Sequence, residues 1–264
     1  MNETDNNKSI FKKALKAVDS FLNDDTTYYA ASLSFFTIFS ILPIIALLIA
    51  IISNFSEFEN YLEIFTSYIF SLINPTHSKE IVDALKNYIS NSNKLGLLGT
   101  IYMLFVFIMF FKDYEYIVNK IHKAKRKPIH ISFLFYSVYL ISLPIVFITL
   151  NIVMSIYNNN ILNNIFSYIF AWLIFYSLFK FSVNKTINNK AALISSFFTL
   201  VILSITKNLF VYYVVYNKTY TTIYGSLATL LFTFFWIYIS WVIYLYGIKM
   251  CHKLNIKYLI NKDI

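Results

Sequence analysis

Six apolar runs, each long enough to cross a lipid bilayer, recur along this chain at roughly residues 30–53, 95–118, 131–156, 161–183, 191–215 and 225–250. A bilayer holds no water to satisfy backbone N–H and C=O groups, so a run of about 20 apolar residues has one workable conformation there, the α-helix. The last run makes the match concrete. From Gly225 to Gly247 a helix rises about 33 Å, against a hydrocarbon core of about 30 Å. With 58% hydrophobic and only 13% charged residues, the chain also lacks the polar side chains that would clothe a soluble globule. The expected fold class is all-α: a polytopic membrane protein with about six transmembrane helices, forming a single integral membrane domain over residues 1–264.

Lysine and arginine set the expected orientation. Seventeen of the 22 basic residues lie before the first run, in 112–127, in 180–190 or after residue 248, all of which fall on one side of a six-span chain. Lys79, Lys86, Lys94, Lys207 and Lys218 are left for the other side or the spans. By the positive-inside rule both termini are expected to be cytoplasmic. The net charge of +9 then reads as an orientation and headgroup signal, with membrane lipids as partners and no specific nucleic acid expected. No oligomeric state follows from it.

Residues 1–27 are polar and charged, so no cleavable signal peptide is expected and the first span itself directs insertion. Within "SIFKKALKAVDSFLNDD", Ile10, Phe11, Leu15, Val18 and Leu22 share one helical face and Lys12, Lys13 and Lys16 another. This predicts an N-terminal interfacial amphipathic helix. Asp24, Asp25, Thr26 and Thr27 supply side-chain acceptors to cap the first span. Residues 54–94 carry two further apolar stripes broken at Asn74-Pro75, which predicts a helical outer loop.

Catalytic chemistry finds no footing. The chain has four histidines, of which His77 falls on the opposite side from His122, His130 and His252, and no nucleotide-binding, hydrolase or zinc-peptidase motif is present. Glu57, Glu59, Glu63, Glu80 and Asp83 lie in the outer loop, Asp113 and Glu115 at the inner end of the second span, and no acid pair sits within the bilayer. No catalytic residue, metal or cofactor is expected, and the one cysteine, Cys251, reads as an inert thiol near a helix end.

The informative residues are polar groups inside spans. Lys207 lies about two-thirds of the way along the fifth span, roughly 12 Å short of its outer end, with no carboxylate at comparable depth. Either it meets an anion brought from outside, or it is a hydrated structural lysine beside Asn208. Small and hydroxyl residues follow helical spacing through Ser34 and Thr37, through Thr199 and Thr206, and through Gly225 and Thr229. Such stripes serve close helix packing or line a polar pathway. Pro43 and Pro144 each remove one helix hydrogen bond and are candidate hinges.

Two segments carry a resemblance. "DDTTYYAASLSFFTIFSILPIIALL" has an acidic residue before an alanine pair and Ser40-x-x-Pro43; "KNLFVYYVVYNKTYTTIYGSLATLLFTFFWIYISWVIYLYGIK" has Lys207-x-x-Phe210 and Ile-Tyr-Gly-Ser followed by Trp-x-Tyr. In order and spacing they resemble the YihY/BrkB family of bacterial inner-membrane proteins, and Asn119 resembles that family's asparagine before its basic loop. The chain departs from the family in the bulky "MLFVFIMFF" of its second span and in its short C-terminal tail. The resemblance implies six spans and a link to envelope and virulence traits. It also brings an old ribonuclease BN label, which the inventory of side chains opposes.

Together these features lead to an expected transporter or flippase-like protein for an anionic lipid or other anionic envelope precursor, not an enzyme. Lys207, Asn208, Tyr224, Gly225 and Ser226 form its expected binding region, where a helix N-terminus faces outward near a lysine. The alternative is a membrane scaffold that moves nothing.

Overall fold

The computed structural model describes residues 24–52, 96–157, 160–216 and 226–260, with residues 67, 68, 72, 83 and 87 of the segment after the first helix. Over these residues the protein is all-helical: α1 (Asp25–Ile52), α2 (Gly96–Ile121), α3 (Ile129–Tyr157), α4 (Asn160–Phe181), α5 (Asn189–Tyr216) and α6 (Ser226–Ile260). Each helix coincides with one apolar run, its ends shifted by a few residues, except that α6 continues well past the expected end at residue 250. Among the described residues, Ile129–Leu150, Asn189–Tyr216 and Leu227–Ile260 are long and apolar enough to cross a membrane, and Ile165–Phe181 is a shorter apolar stretch. The expected interfacial helix over residues 10–22 lies outside the described residues, as do the outer helices over 54–94 apart from the five isolated positions above, which are helical.

The helix ends are built from the local sequence. Asp24 caps α1, its carboxylate accepting the Thr26 N–H at 2.9 Å and the Thr26 hydroxyl at 2.8 Å. Asn188 caps α5 by accepting the Lys190 N–H at 2.9 Å. At the end of α2, the Ala124 N–H donates to the Asn119 carbonyl and the Lys123 N–H to the Lys120 carbonyl, with Lys123 at φ 51°. This is a Schellman closure in which a lysine occupies the left-handed position that glycine favours. Pro43 and Pro144 are buried inside α1 and α3, and both helices run through them unbroken.

α6 is the centre of the bundle, packing on α5, α1 and α2, while α1 packs on α2 and α4 on α5. Hydrophobic burial gives little drive to associate helices in lipid, so close contact and polar bonds must hold them together. Gly247 of α6 lies against Thr199 of α5, where no side chain would fit. Leu33, Phe107, Ile117, Phe179, Leu245 and Ile248 fill the core. At the far end of α5 and α6, Phe210, Ala228, Phe232 and Trp236 make a smaller cluster, and the Trp236 indole donates to the Leu72 carbonyl at 3.0 Å. The outer faces of α3 and α5 expose Leu134, Val138, Ile205, Leu209 and Tyr212, the apolar surface a lipid-embedded bundle requires.

Candidate functional site

The expected outer binding region is only partly described. Lys207 sits partly buried on α5, and among the described residues it makes no ion pair or hydrogen bond. Asn208 beside it is exposed. Ser226 begins α6, as the sequence suggests, while Tyr224 and Gly225 lie outside the described residues.

The hydroxyl stripes are largely turned onto backbone. Ser34 donates to the Ala30 carbonyl at 2.5 Å, Thr37 to Leu33 at 2.7 Å and Thr199 to Ser195 at 2.7 Å. Thr37 also accepts the Trp241 indole N–H at 2.8 Å, joining α1 to α6. Thr206 and Thr229 are partly buried, and the Thr229 carbonyl accepts the Thr233 hydroxyl at 2.9 Å.

The dense polar chemistry lies at the opposite end, where α2, α4 and α6 finish and α1, α3 and α5 begin. Glu115, 1% exposed, accepts the Arg126 Nε–H at 3.0 Å, the Lys127 backbone N–H at 2.9 Å and the Asn119 amide at 2.8 Å. Asn119 continues across the bundle: its oxygen accepts the Asn184 N–H at 2.7 Å, and its amide donates to the Ser182 carbonyl at 3.3 Å. Asn255 does the same for the next loop, accepting the Asn188 N–H at 2.7 Å and donating to the Thr186 carbonyl at 3.3 Å. These bonds tie the extension of α6 past residue 250 to the α4–α5 connection, with Cys251 and Asn255 as its buried positions.

Lys249 pairs with both carboxylate oxygens of Asp24. Burial alone would raise the Asp24 pKa, but the Lys249 ammonium and the Thr26 N–H and hydroxyl outweigh it and bring it down to about 2. The Lys120 ammonium rests over the rings of Tyr29 and Tyr116, 5.1 and 5.5 Å from their centroids, and these tyrosines push its pKa up to about 12. His122 is fully buried with neither ring nitrogen partnered, edge-on to His252 at 5.1 Å. Burial, reinforced by His252 and Lys185, pushes its pKa down to about 3. Deeper in, the Tyr114 hydroxyl meets that of Tyr244 at 2.5 Å.

Sequence reasoning placed Asn119 by resemblance and Asp24 as a cap, but it missed the network that joins them to Glu115, Lys249 and Asn255. One signal was available: Glu115 and Asn119 stand one helical turn apart near the basic end of an apolar run, where unpaired polar residues are costly. Among the described residues, no group of three or more His, Cys, Asp or Glu is placed to hold a metal ion. The arrangement clamps loops and helix ends, combining the neutral amide bonds of Asn119 and Asn255 with the charge-assisted bonds of Glu115 and Asp24.

A profile of the family described as Virulence factor BrkB matches residues 17–258, nearly the whole chain. The chain is 26% identical to a UPF0761 membrane protein of Pseudoalteromonas atlantica, over 94% of its own length and 89% of that protein. It is also 26% identical to a UPF0761 membrane protein of Pseudoalteromonas translucida, covering 83% of it, and to one of Legionella pneumophila, of which it spans only 61%. No solved structure matches the chain significantly. The asparagine-centred loop clamp, the apolar helices and the extent of the match lead to one assignment: the chain belongs to the BrkB family of membrane proteins.

Proposed function

We propose that this membrane protein carries an anionic lipid or another anionic envelope precursor across a bacterial inner membrane, with Lys207 as the group that meets the anion. One observation carries the reading: a lysine about two-thirds of the way along α5, partly buried, with no carboxylate or hydrogen-bond partner among the described residues. An ammonium held inside a span costs about 2.5–3.5 kcal/mol on insertion scales, so it needs water or an anion there. Asn208 and the start of α6 at Ser226 belong to the same proposed region, and Pro43 and Pro144 are its proposed hinges. Cytoplasmic termini are supported by the Asp24–Lys249 pair, which puts both ends of the described chain at the basic end of the bundle. A non-enzymatic role fits the missing catalytic motifs, and no step of the proposal needs a cofactor.

A scaffold that moves nothing is the second reading. It is favoured by the hydroxyls of Ser34, Thr37 and Thr199, which are used within helices and leave no polar lane at those positions. The two readings separate in proteoliposomes. A fluorescent phosphatidylglycerol is placed in both leaflets, and its loss of protection from an external quencher is followed for wild type, Lys207→Met and Lys207→Arg. Transport predicts accelerated exchange by wild type, none by Lys207→Met and partial activity in Lys207→Arg. Exchange no faster than in protein-free liposomes supports the scaffold.

A further inference from the structure

We infer that a groove between α2 and α3, far from Lys207, seats the headgroup region of an anionic phospholipid. Phe107, Ile108 and Lys112 of α2 and Ser132, Phe133 and Tyr136 of α3 line it, around a half-open space of about 20 Å³. That space holds one oxygen-sized group, so the body of any ligand lies in the open side of the groove.

Three features define what fits. First, Ser132 is only 7% exposed, yet its hydroxyl has no partner. Other buried helix hydroxyls in this protein, those of Ser34, Ser195 and Thr199, donate to the carbonyl four residues back. For Ser132 that carbonyl belongs to Pro128 and already accepts the N–H groups of Ile131 and Ser132. A buried donor without an acceptor is costly, and this one lines a cavity.

Second, the rim is positive. Lys112 is exposed and has no carboxylate within ion-pair distance among the described residues. Arg126 reaches the same turn, donating to the Lys112 carbonyl at 3.1 Å. Glu115 pairs with Arg126 at 3.0 Å and offsets its charge, and Asp113 accepts the Ser32 hydroxyl at 2.8 Å, which leaves Lys112 as the rim's unpaired cation among the described residues.

Third, the polarity is graded along the helices. Ser132 stands within about 5 Å of the start of α3 at roughly 1.5 Å per residue, directly under the basic connection, while Phe107 and Ile108 lie a turn deeper than Lys112. Donors at the rim above aromatic and aliphatic walls match a glycerophospholipid, whose phosphate and ester oxygens accept hydrogen bonds above its acyl chains. The assignment does not depend on whether the protein transports anything.

Native mass spectrometry of the full-length protein in detergent tests it, with added phosphatidylglycerol, phosphatidylcholine or sn-glycerol 3-phosphate. Wild type should retain phosphatidylglycerol at several-fold higher occupancy than phosphatidylcholine. Lys112→Gln, which removes the charge, and Ser132→Leu, which fills the space, should each lower that occupancy at least threefold. Lys190→Gln at the same end should leave it unchanged, and repeating the series in a Lys207→Met background, which removes the proposed transport site, keeps failure here distinct from failure of the transport reading. Should Ser132→Leu not fold, Lys112→Gln alone decides. Undiminished binding in Lys112→Gln would overturn the inference, as would equal loss in Lys190→Gln. Displacement by glycerol phosphate would reassign the groove to a soluble phosphate ester.

Discussion

A β-carbon built on Gly247 would stand 1.9 Å from the Thr199 hydroxyl oxygen and 3.0 Å from the Thr199 β-carbon, so α6 meets α5 through a bare glycine face. Gly247→Ala must turn Thr199 out of its rotamer and break its bond to the Ser195 carbonyl. Overpacking of this kind costs about 1–3 kcal/mol, more than the roughly 1 kcal/mol that alanine gains over glycine inside a helix. The variant should melt lower in detergent. Adding Thr199→Ala should recover part of the loss; a single variant as stable as wild type would mean the two helices are free to separate.

Asn119 joins α2 to the α4–α5 connection through two partners, Ser182 and Asn184, and also donates to Glu115 one turn back in its own helix. Asn119→Ala leaves the Asn184 N–H and the Ser182 carbonyl without this partner, at about 1–3 kcal/mol in all, while Glu115 keeps its bonds to Arg126 and Lys127. Asn119→Asp should be worse, since it sets a second carboxylate against Glu115. The check is the order of melting temperatures: wild type, then alanine, then aspartate.

Acid should weaken the protein in two windows. His122 has its pKa pushed down to about 3 in the folded state, whereas an unfolded histidine takes a proton near 6.5. Stability therefore falls from about pH 6.5 toward pH 3, by at most about 1.4 kcal/mol per pH unit from this residue. Asp24 works lower: its contribution is present above the ordinary carboxylate value of 3.8 and is lost as pH falls toward about 2. His122→Met should flatten the melting profile between pH 6.5 and 4, and Asp24→Asn only below about pH 4.

Lys123 closes α2 at φ 51°, where a β-carbon is unfavourable by about 1–2 kcal/mol. Lys123→Gly should raise the melting temperature without altering membrane insertion. An unchanged or lower value would show that the lysine side chain contributes as much as the backbone strain costs.

Orientation can be read chemically, because the one native thiol, Cys251, is buried and can be replaced by serine. In sealed right-side-out vesicles, cysteines replacing Asn87 and Lys218 should react with an impermeant reagent, and one replacing Lys125 should not. Reaction at position 125 would reverse the proposed topology.

The six helices were legible because a bilayer-length apolar run leaves a chain few alternatives. Lys207 was legible for the opposite reason: a charge interrupts such a run. The basic-end clamp was not, since its partners are far apart in the chain, 65 residues for Asn119 and Asn184 and 225 for Asp24 and Lys249. Neither residue of such a pair is unusual in its own surroundings. Asn255 was hidden further, because the apolar run ends before it and its partners lie in the α4–α5 connection.

The Asp24–Lys249 pair has a consequence for biogenesis. Asp24 leaves the ribosome early, and its partner follows 225 residues later, at about 5–20 residues per second a delay of about 10–45 s. Throughout that interval the Asp24 carboxylate at the start of α1 has its local Thr26 donors but no lysine. The bundle can be sealed only when α6 arrives, so a nascent chain stalled before Lys249 would carry a recognisable acidic mark of incompleteness.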